Sequence, residues 1–341
     1  MFVGDISLGE HFLSFGHGPR TMFEEGEDIF KNVRCVFSSA DFVIGNIEGP
    51  LSDIGYKQKD PLSRVFRGSP LSIKQLYDAG VNVVNVANNH SLQHGKECFL
   101  DTQRRLQEVG IKTIGLADQL KPENTKLITG TDGCRVCLLA ASDVVDNTCP
   151  NQDLYAYYNE DRLNNAVKVL SKQFGVVIVI LHWGHEGETR ANKAQKIAAK
   201  KLIQSGADLI VGHHPHVFFE IERIDSGVVA YSIGNFVFDL PWDRKLRRTG
   251  ILDVEITRDT GLSDIKVWPV YIDTHGQPLC AKRALYIPNN VKNFDLYKHS
   301  GRLSNQALKK MAYFFYFILK GHTLLKLRFL IWKIRNFIHQ K

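Results

Sequence analysis

Three imidazoles fall within four residues at His213, His214 and His216, around Pro215 and directly behind Gly212. A cluster this dense has little structural use, and it points to metal ligation, because neutral imidazole is a strong donor to divalent transition ions. His214 and His216 stand two apart, which puts both on one face if their loop is extended. Donors of the same kind occur at Asp5, at Asn46 and Glu48, at Asn89 and His90, and at His182. Taken singly, each has a plain structural explanation. Asp5 suits a helix N-cap or a turn, and Asn46 and Glu48 suit a polar loop. Asn88 to His90 suit an Asx-turn closing a strand, and His182 beside Trp183 suits a satisfied core histidine. Taken together, carboxylate, carboxamide and imidazole groups could converge on one or two divalent cations that clamp a phosphoryl group. Cys134 and Cys137 form a C-x-x-C pair, but it lies in an apolar run with no second pair, so it reads as core rather than as a zinc site.

The elements that must position these groups are legible from periodicity. Phe42-Val43-Ile44, Val81 to Val86, Val136 to Ala140, Val176 to Leu181 and Leu209-Ile210-Val211 are short apolar runs of the buried-strand type. Segments 94–109 and 190–205 have helical spacing, with Gly110 and Gly206 where helix C-caps belong. Every candidate donor follows directly on an apolar run. The carboxyl ends of strands are where open α/β sheets build ligand sites. After His216 the texture changes to short strands over 217–224, 228–233, 250–257 and 264–272, separated by Asp225-Ser226-Gly227 and Asp259-Thr260-Gly261. Sequential strands of this kind predict antiparallel pairing at the end of the sheet system. The expected division is one α/β domain over 1–275 and a C-terminal extension over 276–341.

Length and composition fit a globular chain: 341 residues, 44% hydrophobic and 23% charged. The net charge of +7 is unevenly spread. No acidic residue follows Asp295, whereas ten Lys and Arg do, so the preceding body carries −3. An acidic body with a basic tail excludes a uniformly basic nucleic-acid binder. Six cysteines without disulfide-like spacing, and an opening Met1-Phe2-Val3-Gly4-Asp5 that reads as a strand rather than a secretory signal, predict a reducing, cytoplasmic setting.

Six motifs then occur in order: Gly4-Asp5; Gly45-Asn46-Ile47-Glu48-Gly49-Pro50-Leu51; Ala87-Asn88-Asn89-His90-Ser91-Leu92; His182-Trp183-Gly184-His185-Glu186; Gly212-His213-His214-Pro215-His216; and Tyr231-Ser232-Ile233-Gly234-Asn235-Phe236-Val237-Phe238-Asp239. Over roughly residues 1–272 this set resembles the CapA family of capsule and poly-gamma-glutamate biosynthesis proteins, a branch of the calcineurin-like metallophosphatases. The resemblance implies a four-layer α/β sandwich, two mixed sheets flanked by helices, with the site at the strand ends. It implies Asp5, Asn89, His182, His214 and His216 as metal ligands, and Asn46 or Glu48 in the place of a bridging carboxylate. His90 would be the catalytic imidazole, assisting the leaving group. Glu186, Asn235 and His213 would line the pocket or fix histidine tautomers. The implied cofactor is one or two ions of manganese, iron or zinc, and the implied reaction is phosphoester hydrolysis during surface-polymer production. Three departures stand out. Ser7 replaces a histidine of the wider metallophosphatases, their bridging Asp has no clear equivalent, and Gln93-His94 precede Gly95 where an acidic residue and Tyr are usual. Fewer anionic ligands weaken a second metal site, which keeps a non-catalytic accessory scaffold of a membrane polymer synthase as the alternative. A nucleic-acid phosphodiesterase steered by the tail ranks last.

The tail poses a separate question. Met311 to Leu319 is apolar but too short to span a bilayer, and Leu324 to Ile338 is apolar with Lys326, Arg328, Lys333 and Arg335 interspersed. Helical spacing sets these charges on two stripes, 326/333 and 328/335. Such a segment would anchor the protein to the anionic inner face of the plasma membrane, or pack on the body or in an oligomer interface.

Overall fold

A computed structural model describes residues 1–146, 148, 149, 153–297, 315, 316 and 318–339. The strands in chain order are β1 Phe2–Ile6, β2 Val43–Ile47, β3 Val81–Asn85, β4 Lys112–Ile114, β5 Lys126–Thr129, β6 Arg135–Ser142, β7 Val176–His182 and β8 Leu209–His213. They continue with β9 Ile221–Ile224, β10 Gly227–Ala230, β11 Asn235–Val237, β12 Arg248–Thr257, β13 Gly261–Ile272, β14 Pro278–Cys280, β15 Leu285–Tyr286 and β16 Asn293–Phe294. One sheet runs β14-β13-β12-β1-β2-β3-β4, with β11 beside β1 and β15 beside β13; the other runs β16-β9-β10-β8-β7-β6-β5. The centre of each is parallel and the later strands are antiparallel, so both sheets are mixed.

Alternation along the strands builds the layers. Ile178 and Ile180 of β7 face inward to a core between the sheets, where they join Ile44, Val83 and Val211. Val177, Val179 and Leu181 face outward and bury against Leu163 and Val167 of the helix Glu160–Leu170 and Leu202 of the helix Lys193–Gln204. On the far side Val84 packs against Leu76 and Phe99, from the helices Ser72–Ala79 and Lys96–Glu108. Three apolar cores thus separate four layers, helix-sheet-sheet-helix. Both long helices end before the predicted glycines, Gly110 at φ +89° and Gly206 at φ +110°. Lys193–Gln204 opens with a reciprocal cap in which Asn192 and Gln195 each accept the other's backbone N–H. Cys134 and Cys137 are buried on opposite faces of the second sheet, in different cores.

Of the four later strands, two are longer than periodicity predicts, β12 from Arg248 and β13 from Gly261, and two are shorter. The 217–224 run is strand only from Ile221, and the 228–233 run stops at Ala230. In between, the chain crosses from one sheet to the other, with Gly234 at φ +70°, to bring β11 alongside β1. Strands β14 to β16, beyond residue 275, add to the edges of both sheets.

Part of the Met311–Leu319 run, residues 311–314 and 317, lies outside the described residues. The helix Thr323–His339 packs on the body through Phe329, which stacks on Phe12 at 4.9 Å and meets Phe15 edge-on. Lys326 is fully buried beside it, its Nζ donating to the carbonyl of Lys320. Among the described residues, no helix is long and apolar enough to cross a membrane.

Candidate metal centre

Strand register gathers the donors into two facing rows. Across the first sheet Asn85, Asn46, Asp5 and Asn235 are direct neighbours on β3, β2, β1 and β11. Across the second, Ser142, His182 and His213 are neighbours on β6, β7 and β8. Glycines precede two of these groups because backbones meet there. A Cβ on Gly4 would run into the carbonyl of Gly234, and one on Gly212 into the carbonyl of Tyr231.

Asp5 is the hub, with no exposed surface. Its Oδ1 accepts from Asn46 Nδ2 at 2.8 Å and meets His213 Nδ1 at 3.0 Å; its Oδ2 accepts from the His214 N–H at 3.3 Å and lies 3.3 Å from His216 Nδ1. Burial works against its charge, but the hydrogen bonds from His213 and His216 outweigh it and hold the carboxyl well below its ordinary range. Asn46 accepts from Asn85 and Asn88 on Oδ1, so its amide is turned to Asp5 and its oxygen is already used. It orients the hub rather than offering a free donor.

Glu48 differs. It is buried, and neither carboxylate oxygen has a hydrogen-bond partner among the described residues. The nearest imidazole nitrogens, His90 Nε2 and His216 Nε2, stand 3.7 Å away. Burial, and then the charge of Asp5, push Glu48 well above a carboxylate's usual value. His216 rises to about 9, because Glu48 and Asp5 outweigh the opposing effect of burial. His182 and His214 are held low by burial, His214 at about 3, which keeps both neutral and able to donate a lone pair. Asp5, Glu48 and His182 each offer a ligand atom within 4.8 Å of the others. Asn89 Oδ1 lies 2.9 Å from His182 Nε2. That is about the separation of adjacent ligands around one small divalent ion at metal–ligand distances near 2.1 Å.

The histidine loop is not extended. His214 and His216 take φ of +94° and +60°, which L-residues rarely adopt, and their rings sit 6.1 Å apart. His214 Nδ1 has no hydrogen-bond partner among the described residues, while His216 Nδ1 lies 2.9 Å from Asn235 Oδ1. Asn235 thereby fixes the His216 ring. Glu186 is exposed at the rim. His90 is partly exposed, its Nδ1 2.5 Å from Gln93 Oε1 and its ring stacked on Phe66 at 4.0 Å. Sequence reasoning missed Gln93 and Phe66 as partners of His90, and Asn85 and Asn88 as supports of Asn46. Of these, only the asparagines had a signal, a run of carboxamides at a strand end.

The profile described as "Bacterial capsule synthesis protein PGA_cap" matches residues 1–240. The chain belongs to this capsule synthesis family. It is 30% identical over 277 residues to the PGA biosynthesis protein CapA of Bacillus subtilis, covering 80% of this chain and 70% of that protein. It is 29% identical over 297 residues to the capsule biosynthesis protein CapA of Bacillus anthracis, covering 83% and 69%. A probable polyglutamine synthesis accessory protein of Mycobacterium tuberculosis is 26% identical over 217 residues, covering 59% of this chain and 57% of that one. Among solved structures, a 5'-nucleotidase of Candida albicans superposes with a TM-score of 0.45 at 15% identity, covering 81% of this chain and 52% of that one. The family profile spans every candidate donor, from Asp5 to Asn235.

Proposed function

We propose that this member of the capsule synthesis family holds one divalent transition cation at Asp5, Glu48 and His182, with Asn89, His214 and His216 around it, and cleaves a phosphoester during surface-polymer production. The observation that carries the reading is Glu48. A buried carboxylate with both oxygens unpartnered is costly, and a bound cation removes the cost. The mixed imidazole and oxygen donor set suits manganese, iron or zinc. When bound, the cation supplies positive charge to phosphoryl oxygens. The chain's own residues supply the rest. Asn46 and His213 hold Asp5 ionised and oriented, and Asn235 fixes His216. His90 donates its Nδ1 proton to Gln93 Oε1 and turns Nε2 toward the cluster. Burial favours its neutral form, and an anionic phosphoester beside it favours the protonated form that donates to a leaving oxygen.

Metal content and manganese-stimulated hydrolysis of bis-p-nitrophenyl phosphate test this together. Glu48→Gln and His182→Ala should each lower manganese affinity at least about tenfold and abolish turnover. Turnover unchanged in both variants would sink the proposal.

A second reading, an accessory protein of a polymer synthase without turnover, draws on Asp5, whose oxygens are already met by four groups of the protein. The name of the mycobacterial relative points the same way. Stoichiometric manganese with no hydrolysis of any phosphoester, together with co-purification with a membrane synthase, would favour it.

A further inference from the structure

The helix Thr323–His339 has two unlike sides. One is seated on the body through Phe329 and the buried Lys326. On the other, Leu324, Leu327, Ile331 and Ile334 form a continuous stripe, each between 46% and 65% exposed, at the i, i+3, i+7, i+10 spacing of one helix face. Arg328 and Arg335 lie along the edge of that stripe, four residues, or about one helical turn, beyond Leu324 and Ile331. Seating the helix separates the charges of the sequence: Lys326 turns inward, Lys333 on the same stripe is exposed, and the 328/335 pair is left beside the exposed apolar residues.

We infer that this outer face lies in the interfacial layer of an anionic phospholipid membrane, with the apolar stripe in the acyl boundary and the arginines on lipid phosphates. Charge selects this occupant over a second copy of the chain. Pairing two such helices would bring their arginines together, and residues 296–341 contain no Asp or Glu to neutralise them. The stripe is also short for a stable coiled coil. An anionic bilayer meets both needs at once.

The position of the helix adds a consequence. It sits on Phe12 and on the loop around Lys59, to whose carbonyl Arg328 donates at 3.3 Å. The same loops lead through a Glu10–Val65 bridge to Phe66, the ring stacked on His90. Docking would therefore bring the loops that roof the candidate metal centre toward the bilayer. The docking itself does not rest on the metal reading.

Flotation of the full chain with vesicles of phosphatidylcholine, with and without phosphatidylglycerol, tests the inference. Binding is expected only with phosphatidylglycerol, and should weaken as salt is raised. Arg328→Gln/Arg335→Gln should lower partitioning on the order of thirtyfold. Leu327→Glu/Ile331→Glu should abolish it while leaving the helical signal and the metal content unchanged. Three results would overturn it: no flotation of the wild-type chain, equal flotation of the glutamate variant, or a dimer in solution that the glutamate variant dissociates without any vesicle binding.

Discussion

Glu48 and His216 carry most of the electrostatic tension of the proposed cation site. Both are pushed toward protonation, Glu48 by burial and by Asp5, and His216 by Glu48 and Asp5 against burial, while Asp5 stays ionised. The sign follows directly. A cation needs Glu48 ionised and His216 neutral, so loading must displace the protons they hold. Manganese affinity should therefore rise with pH through the neutral range toward about 9, by roughly tenfold per unit for each proton displaced. Titration calorimetry in buffers of different ionisation enthalpy reads the released protons; equal affinity and no proton release at about pH 6 and pH 8 would contradict the arrangement. At this scale the sequence shows which polar groups stand at strand ends but not their division of labour. Asn46 and Glu48 look equivalent two residues apart. Only the partners brought in from β3 and β1 show that Asn46 is spent on orientation while Glu48 is left without a partner.

Elements place these groups through register and through close backbone approach. Parallel pairing aligns Asp5 with Asn46 and Asn235 on one sheet, and His182 with His213 on the other, so the site depends on strands staying in step. Gly212 is a sensitive point, because a side chain there would meet both the Tyr231 carbonyl and the Trp183 indole nitrogen that donates to it. Gly212→Ala should cost about 1–3 kcal/mol from overpacking. It should also reduce metal content, since β8 carries His213 and leads into His214 and His216. Denaturant midpoints compared with a surface control such as Gly175→Ala, which has open space for a Cβ and no left-handed φ, would isolate the packing cost. Strand ends were legible wherever an apolar run stopped at a polar residue. The crossing between Ala230 and Asn235 was not, because its apolar residues serve two sheets in turn and show no single period.

On the scale of the whole molecule, the tail helix is held at Phe329, with the buried Lys326 and the Arg328–Lys59 hydrogen bond beside it, and its detachment should be separable from the core. Phe329→Ala should free the helix, making it quickly cleavable by trypsin at Arg328 or Lys333, while metal content is kept and the body melts within a few degrees of wild type. Unchanged proteolysis would mean that Phe329 does not hold it. The sequence by itself determined the layered α/β architecture, since buried runs and amphipathic helices leave few ways to hide apolar surface. It also determined which polar groups stand at strand ends, because chain order alone puts them after apolar runs. Tertiary structure decided what depends on contacts between residues far apart in the chain. These are the left-handed turn that swings His214 and His216 in, the unpartnered state of Glu48, and the side of the tail helix that faces out. No local pattern encodes these, because each is set by which distant surface a side chain meets.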